Sequence, residues 1–102
     1  MKSIINGPFR NNIYNLMRDA GYHFQYEDAK TKELSFSRPK SGFPRFHLFI
    51  KTMGNDLSLS LHLDQKKPVY EGTTAHSGDY DEPAVNTEMA RLKQEILNPT
   101  RY

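Results

Sequence analysis

The sequence predicts an α+β fold in which a helix, a four-stranded antiparallel sheet of two hairpins and a second helix follow one another. An apolar stripe with helical spacing lies near each end of the chain, and alternating apolar and polar residues fill the middle. Each helix is apolar on one side only, so we expect both to cover one face of the sheet. The 102 residues suffice for one hydrophobic core, which predicts a single domain over 1–102.

The two helices are predicted from their stripes and from the residues that bound them. The first runs over about 8–20, with Pro8 in its first turn and Gly21 closing it. Its stripe consists of Phe9, Ile13, Leu16, Met17 and Ala20. The second runs over about 82–97 and is stopped by Pro99. Its stripe consists of Val85, Met89, Leu92 and Ile96.

The first hairpin is predicted over 22–37, with a polar turn at 28–32. Its apolar side chains alternate with polar ones, so we expect the apolar set to face the helices. That set is Tyr22, Phe24, Tyr26, Leu34 and Phe36. The polar set, expected on the opposite face, includes His23, Gln25, Ser35 and Ser37.

The second hairpin is predicted in register. Its strands cover 45–52 and 57–64, and a four-residue loop between them makes paired residue numbers sum to 109. A slip of one residue would mix apolar and polar faces, so the pattern selects this register or one two residues away. The same pairing sets Arg45 opposite Asp64, His47 opposite His62, Phe49 opposite Ser60 and Lys51 opposite Ser58.

Composition narrows the classes of function. The chain has no cysteine, which excludes disulfides, thiolate zinc sites and cysteine nucleophiles. We find no apolar stretch long enough for a signal peptide or a membrane span, so a soluble, cytoplasmic protein without a membrane partner is predicted. The formal net charge is only +2 and does not by itself predict a nucleic-acid partner.

The segment 65–81 is predicted to be a long loop, because it has no sustained period and contains two glycines and a proline. Loops of this length in small domains are usually functional or mobile. We therefore predict that this loop is a lid or part of a ligand site.

The link between the hairpins carries three basic residues and Phe43 within eight positions. Such a set is suited to contacting a phosphate backbone and stacking a base, although solvated loop charges explain the same residues. Lysines extend this surface, and Phe49 is expected at the centre of the open face. The predicted ligand-binding residues are Arg38, Lys40, Phe43, Arg45, His47, Phe49, Lys51, Lys66 and Lys67.

A second hypothesis places a metal on the same face. His62 and Asp64 point to one side of a strand, and cross-strand His47 supplies a third ligand. His76 completes the set if the loop folds back, and this set suits a divalent transition metal such as zinc, manganese or iron. A metal-dependent hydrolase would follow, with Asp79 or Glu71 as the base. An ordinary ion pair between Asp64 and Arg45 is the competing interpretation.

A third hypothesis is a protein-interaction module, in which two copies pack sheet to sheet and bury histidines from both. Among the three, we prefer a non-enzymatic binding module that uses the open face and the 65–81 loop, with nucleic acid or another polyanion as ligand. No catalytic residue is assigned in this interpretation. The homodimer and the hydrolase stay as alternatives.

Three stretches of the chain carry a resemblance to a known group of proteins. They are Pro44-Arg45-Phe46-His47-Leu48, the run from Leu61 to Pro68, and Thr74-Ala75-His76-Ser77-Gly78. Over roughly its last two-thirds, the chain resembles a family of short uncharacterised proteins of candidate phyla radiation bacteria. The resemblance implies a bacterial, cytoplasmic protein, and it implies no activity, cofactor or site residue.

Overall fold

A computed structural model describes residues 1–65 and 82–97 of the chain. The elements are β1 (Lys2–Ile5), α1 (Ile13–Asp19), β2 (His23–Glu27), β3 (Leu34–Arg38), β4 (Arg45–Met53), β5 (Asp56–Asp64) and α2 (Glu82–Leu97). The strands form one sheet in the order β1-β5-β4-β3-β2, and all neighbours are antiparallel. The predicted α+β class, with two helices and an antiparallel sheet, is confirmed. Nearly all of the predicted 65–81 loop lies outside the described residues.

The sheet has five strands, so the prediction of four was wrong. The additional strand is β1, which pairs with β5 and buries Ile5 opposite Leu57. The amino group of Met1 donates a hydrogen bond of 3.0 Å to the carbonyl oxygen of Leu61, which fixes the start of the chain to the sheet. A strand of four residues is too short to produce a clear alternation, and this is why the pattern did not predict it.

The register of the second hairpin is confirmed along its whole length. Leu48 pairs with Leu61 and Ile50 with Leu59, so paired numbers sum to 109 as predicted. Pairing continues to Met53, and the connection is therefore a two-residue turn rather than a four-residue loop. Gly54 opens this turn with φ +63°, the conformation that tight hairpin turns require at that position.

A bulge in β2 overturns the prediction that Tyr26 faces the helices. Phe24 pairs with Phe36 on the helix side, but the register shifts by one residue before Tyr26. Tyr26 therefore pairs with Ser35 and lies on the opposite face, where it is 51% exposed. One extra residue is enough to move a side chain across a sheet, because faces alternate with a period of two.

The helices differ in how well the sequence predicted their bounds. α2 covers 82–97 as predicted, whereas α1 begins at Ile13 and not near Pro8. α1 begins at Ile13 because Asn12 caps it. The side chain of Asn12 accepts a 2.9 Å hydrogen bond from the backbone N–H of Asn15. Phe9 precedes the helix and still packs against the core.

Both helices pack on one face of the sheet, as predicted. Met17 of α1 and Leu92 of α2 belong to the same buried cluster as Leu48 and Leu61 of the central strands. These four side chains are fully buried. The apolar side chains of the central strands β4 and β5 are thus covered, and their polar side chains belong to the opposite face of the sheet.

A buried carboxylate joins α2 to the end of the sheet. Glu88 is 5% exposed and accepts hydrogen bonds from the Tyr22 hydroxyl at 2.6 Å, from Arg91 at 2.9 Å and from Arg38 at 3.2 Å. Arg91 also donates a 2.7 Å bond to the carbonyl oxygen of Ala20, just after α1. Burial opposes ionisation of Glu88, but these bonds and the two guanidinium charges outweigh it and lower the pKa of the carboxyl.

Two adjacent isoleucines of β1 test whether this strand is part of the core. Ile5 is 3% exposed and Ile4, on the other face, is 57% exposed. We expect Ile5→Ala to lower the free energy of unfolding by about 2–4 kcal/mol, because it removes buried methyl groups and leaves a cavity. Ile4→Ala, the matched control, should change it by less than about 0.5 kcal/mol. Equal effects in urea denaturation would contradict the position of β1.

Removing the charge of Glu88 should weaken the fold in a pH-dependent way. At pH 7 we expect Glu88→Gln to lower the free energy of unfolding by about 2 kcal/mol, because two guanidinium groups lose their anionic partner. The folded-state pKa lies below the ordinary 4.5, so this contribution is complete above that pH and is lost on further acidification. Denaturation of both proteins at several pH values measures the difference, which should shrink as pH falls below 4.5. A constant difference would contradict this account, and exposed Glu27→Gln serves as the control.

Candidate functional site

The face of the sheet opposite the helices, here called the open face, is polar with a few rings. Its residues follow from the register, and on β1, β3, β4 and β5 they alternate with residues that face the helices. Three of the four histidines lie on this face, as predicted, since His23 pairs with Ser37, Ser37 with His47, and His47 with His62. The open face also carries Lys2, Ile4, Gln25, Tyr26, Ser35, Arg45, Phe49, Lys51, Ser58, Ser60 and Asp64.

Three rings meet at the centre of the open face. The ring centroids of His47 and Phe49 are 4.4 Å apart, and those of Phe49 and His62 are 6.2 Å apart with an edge-to-face geometry. Such distances lie within the range of favourable aromatic pairs. Phe49 is partly exposed and His62 is exposed, so the cluster offers a ring surface to a ligand.

His47 is held from both sides of its ring. Its Nε2 lies 2.8 Å from the hydroxyl oxygen of Ser35 on β3, and its Nδ1 lies 3.6 Å from a carboxylate oxygen of Asp64 on β5. Asp64 favours the tautomer with the proton on Nδ1, in which Nε2 accepts a hydrogen bond from the serine. The two contacts fix the plane of the ring against Phe49. The sequence predicted that these residues share a face, but not this bond.

The same three groups have the order of a Ser-His-Asp triad, yet their geometry does not support nucleophilic catalysis. Ser35 is 0% exposed, so its hydroxyl oxygen does not reach a substrate. The 3.6 Å between His47 and Asp64 is longer than a hydrogen bond of the kind that orients a catalytic histidine. These contacts therefore act as a support for the ring cluster.

The environment of His47 favours its neutral form. Burial lowers the pKa of the imidazole most, and the charges of Arg45 and His62 lower it further, while Asp64 raises it. The balance leaves the pKa below its ordinary value of 6.5. At neutral pH the ring is consequently an uncharged partner for Phe49 and for a stacked ligand.

The predicted metal ligands are only partly brought together. His47 and His62 pair directly, and Asp64 lies beside His47, but in the described ranges no group of three His, Cys, Asp or Glu residues is placed to hold a metal ion. His47 already directs one ring nitrogen at Ser35 and the other at Asp64, so it would have to give up a contact to bind an ion. His76 lies outside the described residues, as do Glu71 and Asp79, and the four-ligand site stays a prediction.

The predicted basic residues of the link gather at one end of the sheet, where β3 ends and β4 begins. The guanidinium carbon of Arg45 lies 4.6 Å from the ring centroid of Phe43, a cation–π contact. Arg38 is engaged with Glu88, and Lys40 is exposed in the link. Lys51 is exposed towards the other end of β4, and Lys66 and Lys67 lie outside the described residues.

Arg45 and Asp64 pair in register but form no ion pair, which corrects the expectation of an ordinary cross-strand salt bridge. The carboxylate of Asp64 lies beside His47, and the guanidinium of Arg45 lies over Phe43. No ion pair within 4.0 Å joins Arg45 to any acidic residue in the part of the chain that the structure describes. Among the described residues, its positive charge at the edge of the open face is therefore not paired with a carboxylate.

Lys2 and Tyr26 are among the residues of the open face that the sequence did not predict. Lys2 on β1 pairs with Ser60 on β5, and Tyr26 on β2 reaches this face because of the bulge. With Phe49 between them, they form one row across the five strands: Lys2, Ser60, Phe49, Ser35 and Tyr26. The only signal for Tyr26 was its aromatic character, because the bulge itself left no mark in the alternating pattern.

Comparison of the chain with protein-family models, with curated proteins and with solved structures finds no match. Within residues 1–65 and 82–97, neither helix combines the length and the apolar character needed to cross a membrane.

The lowered pKa of His47 predicts a contribution to stability between neutral and mildly acidic pH. Below pH 6.5 the unfolded chain takes up the proton first, so the folded state loses stability until the folded-state pKa is passed. We expect His47→Gln to reduce this loss, measured by urea denaturation between pH 8 and pH 5. His23→Gln, which leaves His47 in place, is the control. A pH dependence unchanged by His47→Gln would contradict the assignment.

Proposed function

We propose that this protein is a non-enzymatic module that binds single-stranded nucleic acid on the open face of its sheet. The observation that carries the proposal is the ring cluster of His47, Phe49 and His62 at the centre of that face. Exposed aromatic rings on a polar sheet are stacking surfaces for unpaired bases, because every base has a flat π-face. Tyr26 adds a further ring to this face.

The spacing of the rings suits a short single strand. Phe49 lies on β4, and Tyr26 lies on β2 in the same row of the sheet. Neighbouring strands are about 4.8 Å apart, so these two strands are separated by about 10 Å. Between them lies Ser35, a small residue that is itself buried. The arrangement supports stacking of successive bases across the strands.

Basic residues surround the rings at positions suited to phosphate contacts. Lys2 lies at the β1 end of the row, Lys51 lies further along β4, and Arg45 lies at the opposite end of that strand. Phosphate contacts supply affinity without reading sequence. Because three charges are few, we expect moderate affinity and little preference among sequences.

The salt dependence of binding follows from this number of contacts. Each phosphate that is neutralised on a single strand contributes about −0.7 to the slope of log K against log salt, so three contacts predict a slope of about −2. Fluorescence anisotropy with a labelled oligothymidylate at several salt concentrations measures it. A slope near zero would contradict phosphate binding.

Phe49 is the residue whose loss should weaken binding most clearly. Stacking of one base on an aromatic ring contributes about 1–3 kcal/mol, so Phe49→Ala should lower the affinity about tenfold or more. Phe49→Tyr keeps a ring and should retain most of the affinity. Phe24→Ala is the matched control, because Phe24 is an exposed phenylalanine that lies on the helix side.

Equal affinities of wild type, Phe49→Ala and Phe24→Ala would rule out the stacking role, provided that circular dichroism shows all three folded. Sedimentation of the free protein tests the homodimer in the same preparations. A dimer that is lost in Phe49→Ala, together with no oligonucleotide binding, would assign the open face to a second copy of the chain and would overturn the proposal.

A further inference from the structure

A pocket of about 400 Å³ lies at the end of the sheet where β3 ends and β4 begins. Its volume is within the range of small-molecule sites. Apolar side chains form much of its wall, and two arginines also line it. The residues that line it are Arg38, Pro39, Pro44, Arg45, Phe46 and Leu63.

The pocket continues the open face around the end of the sheet. Arg45 belongs to the open face, in the same strand as Phe49. Phe46 and Leu63 pair with each other on the helix side, and Arg38 pairs with Phe46. A nucleic-acid strand that lies on the rings and continues along β4 towards Arg45, its first residue, therefore reaches the pocket.

Arg38 is held in place and still has donors to offer. Its Nη1 donates to both carboxylate oxygens of Glu88, at 3.2 and 3.3 Å, and its side chain is partly exposed. Glu88 also accepts hydrogen bonds from Arg91, so the two oxygens of one carboxylate are shared by two guanidinium groups. A guanidinium has five N–H donors, and an anion in the pocket can accept from those that Glu88 does not use.

Among the described residues, Arg45 makes no ion pair with a carboxylate. Its buried Nε makes no hydrogen bond, and its ring contact with Phe43 is the interaction that positions its guanidinium. Rotation of the guanidinium towards an anion would cost no hydrogen bond within the described ranges. An anion in the pocket would supply the acceptor that this donor lacks.

We infer that this pocket binds a phosphomonoester, namely the terminal phosphate of the nucleic-acid strand that binds to the open face. In this form the inference rests on the proposed function. A phosphomonoester carries close to two negative charges at pH 7, whereas an internal phosphodiester carries one. The charges of two guanidinium groups match the two negative charges of a phosphomonoester. Arginine also binds phosphate through paired hydrogen bonds. The prolines, Phe46 and Leu63 offer apolar contact to the sugar and base of the end nucleotide.

The experiment compares the affinities of oligothymidylates of one length that carry a 5′-phosphate, a 3′-phosphate or hydroxyls at both ends. The fluorescent label is placed internally or at an end that carries no phosphate. We expect one phosphorylated form to bind about tenfold more tightly than the hydroxyl form, the effect of charge-assisted hydrogen bonds. Arg45→Gln should abolish this preference, and Arg45→Lys, which keeps the charge without the paired donors, should reduce it.

Arg10→Gln is the matched control, because it removes the same charge from the opposite end of the molecule. The residues next to Arg10, Phe9 and Asn11, lie by the turn at Gly54, at the far end of β4 from Arg45. This variant should keep the full preference for the phosphorylated strand. Circular dichroism of each variant verifies that the fold is retained.

Equal binding of phosphorylated and hydroxyl oligonucleotides would overturn the inference and leave the proposed function intact. If no oligonucleotide binds, the proposed function fails, and thymidine monophosphate and inorganic phosphate test the pocket alone by calorimetry. If thymidine monophosphate binds and Arg45→Gln abolishes this binding, the pocket is assigned to a free nucleotide. If only inorganic phosphate binds, the pocket is assigned to the free anion. Binding of neither would overturn the inference as well.

Discussion

The antiparallel pairing of β4 with β5 decides which side chains meet the helices and which remain on the open face. Nine consecutive pairs keep one register, so the leucines and Ile50 fall on one face without exception. The same pairing sets His47 opposite His62, and the ring of Phe49 contacts both. A shift by one residue would bury the histidines and expose the leucines, and the apolar core excludes it.

The support of the open face comes from groups that a ligand does not contact. Buried Ser35 on β3 and Asp64 on β5 orient the ring of His47, and burial keeps that ring neutral. At the end of the sheet, Glu88 on α2 accepts a hydrogen bond from Arg38 on β3 and so links β3 to the helix layer. A ligand site built on such fixed side chains needs little reorganisation when the ligand binds.

The sequence allowed the central hairpin and the second helix to be predicted because long, regular patterns identify them. β1 was missed because it has only four residues, and the position of Tyr26 because a bulge depends on tertiary contacts rather than on local sequence. Glu88 carried a signal that could have been used. It lies one residue before Met89 and three after Val85, on the side of the helix that faces the core, where a charged residue needs partners.

The central claim is that a single strand lies on the open face, and a nuclear magnetic resonance titration tests it most directly. Isotope-labelled protein is titrated with an oligothymidylate while the backbone amide signals are followed. We expect the largest shifts at Phe49, His62 and Tyr26, and small ones in the core positions of α1 and α2. Shifts confined to the helices, or none at saturating oligonucleotide, would contradict the account.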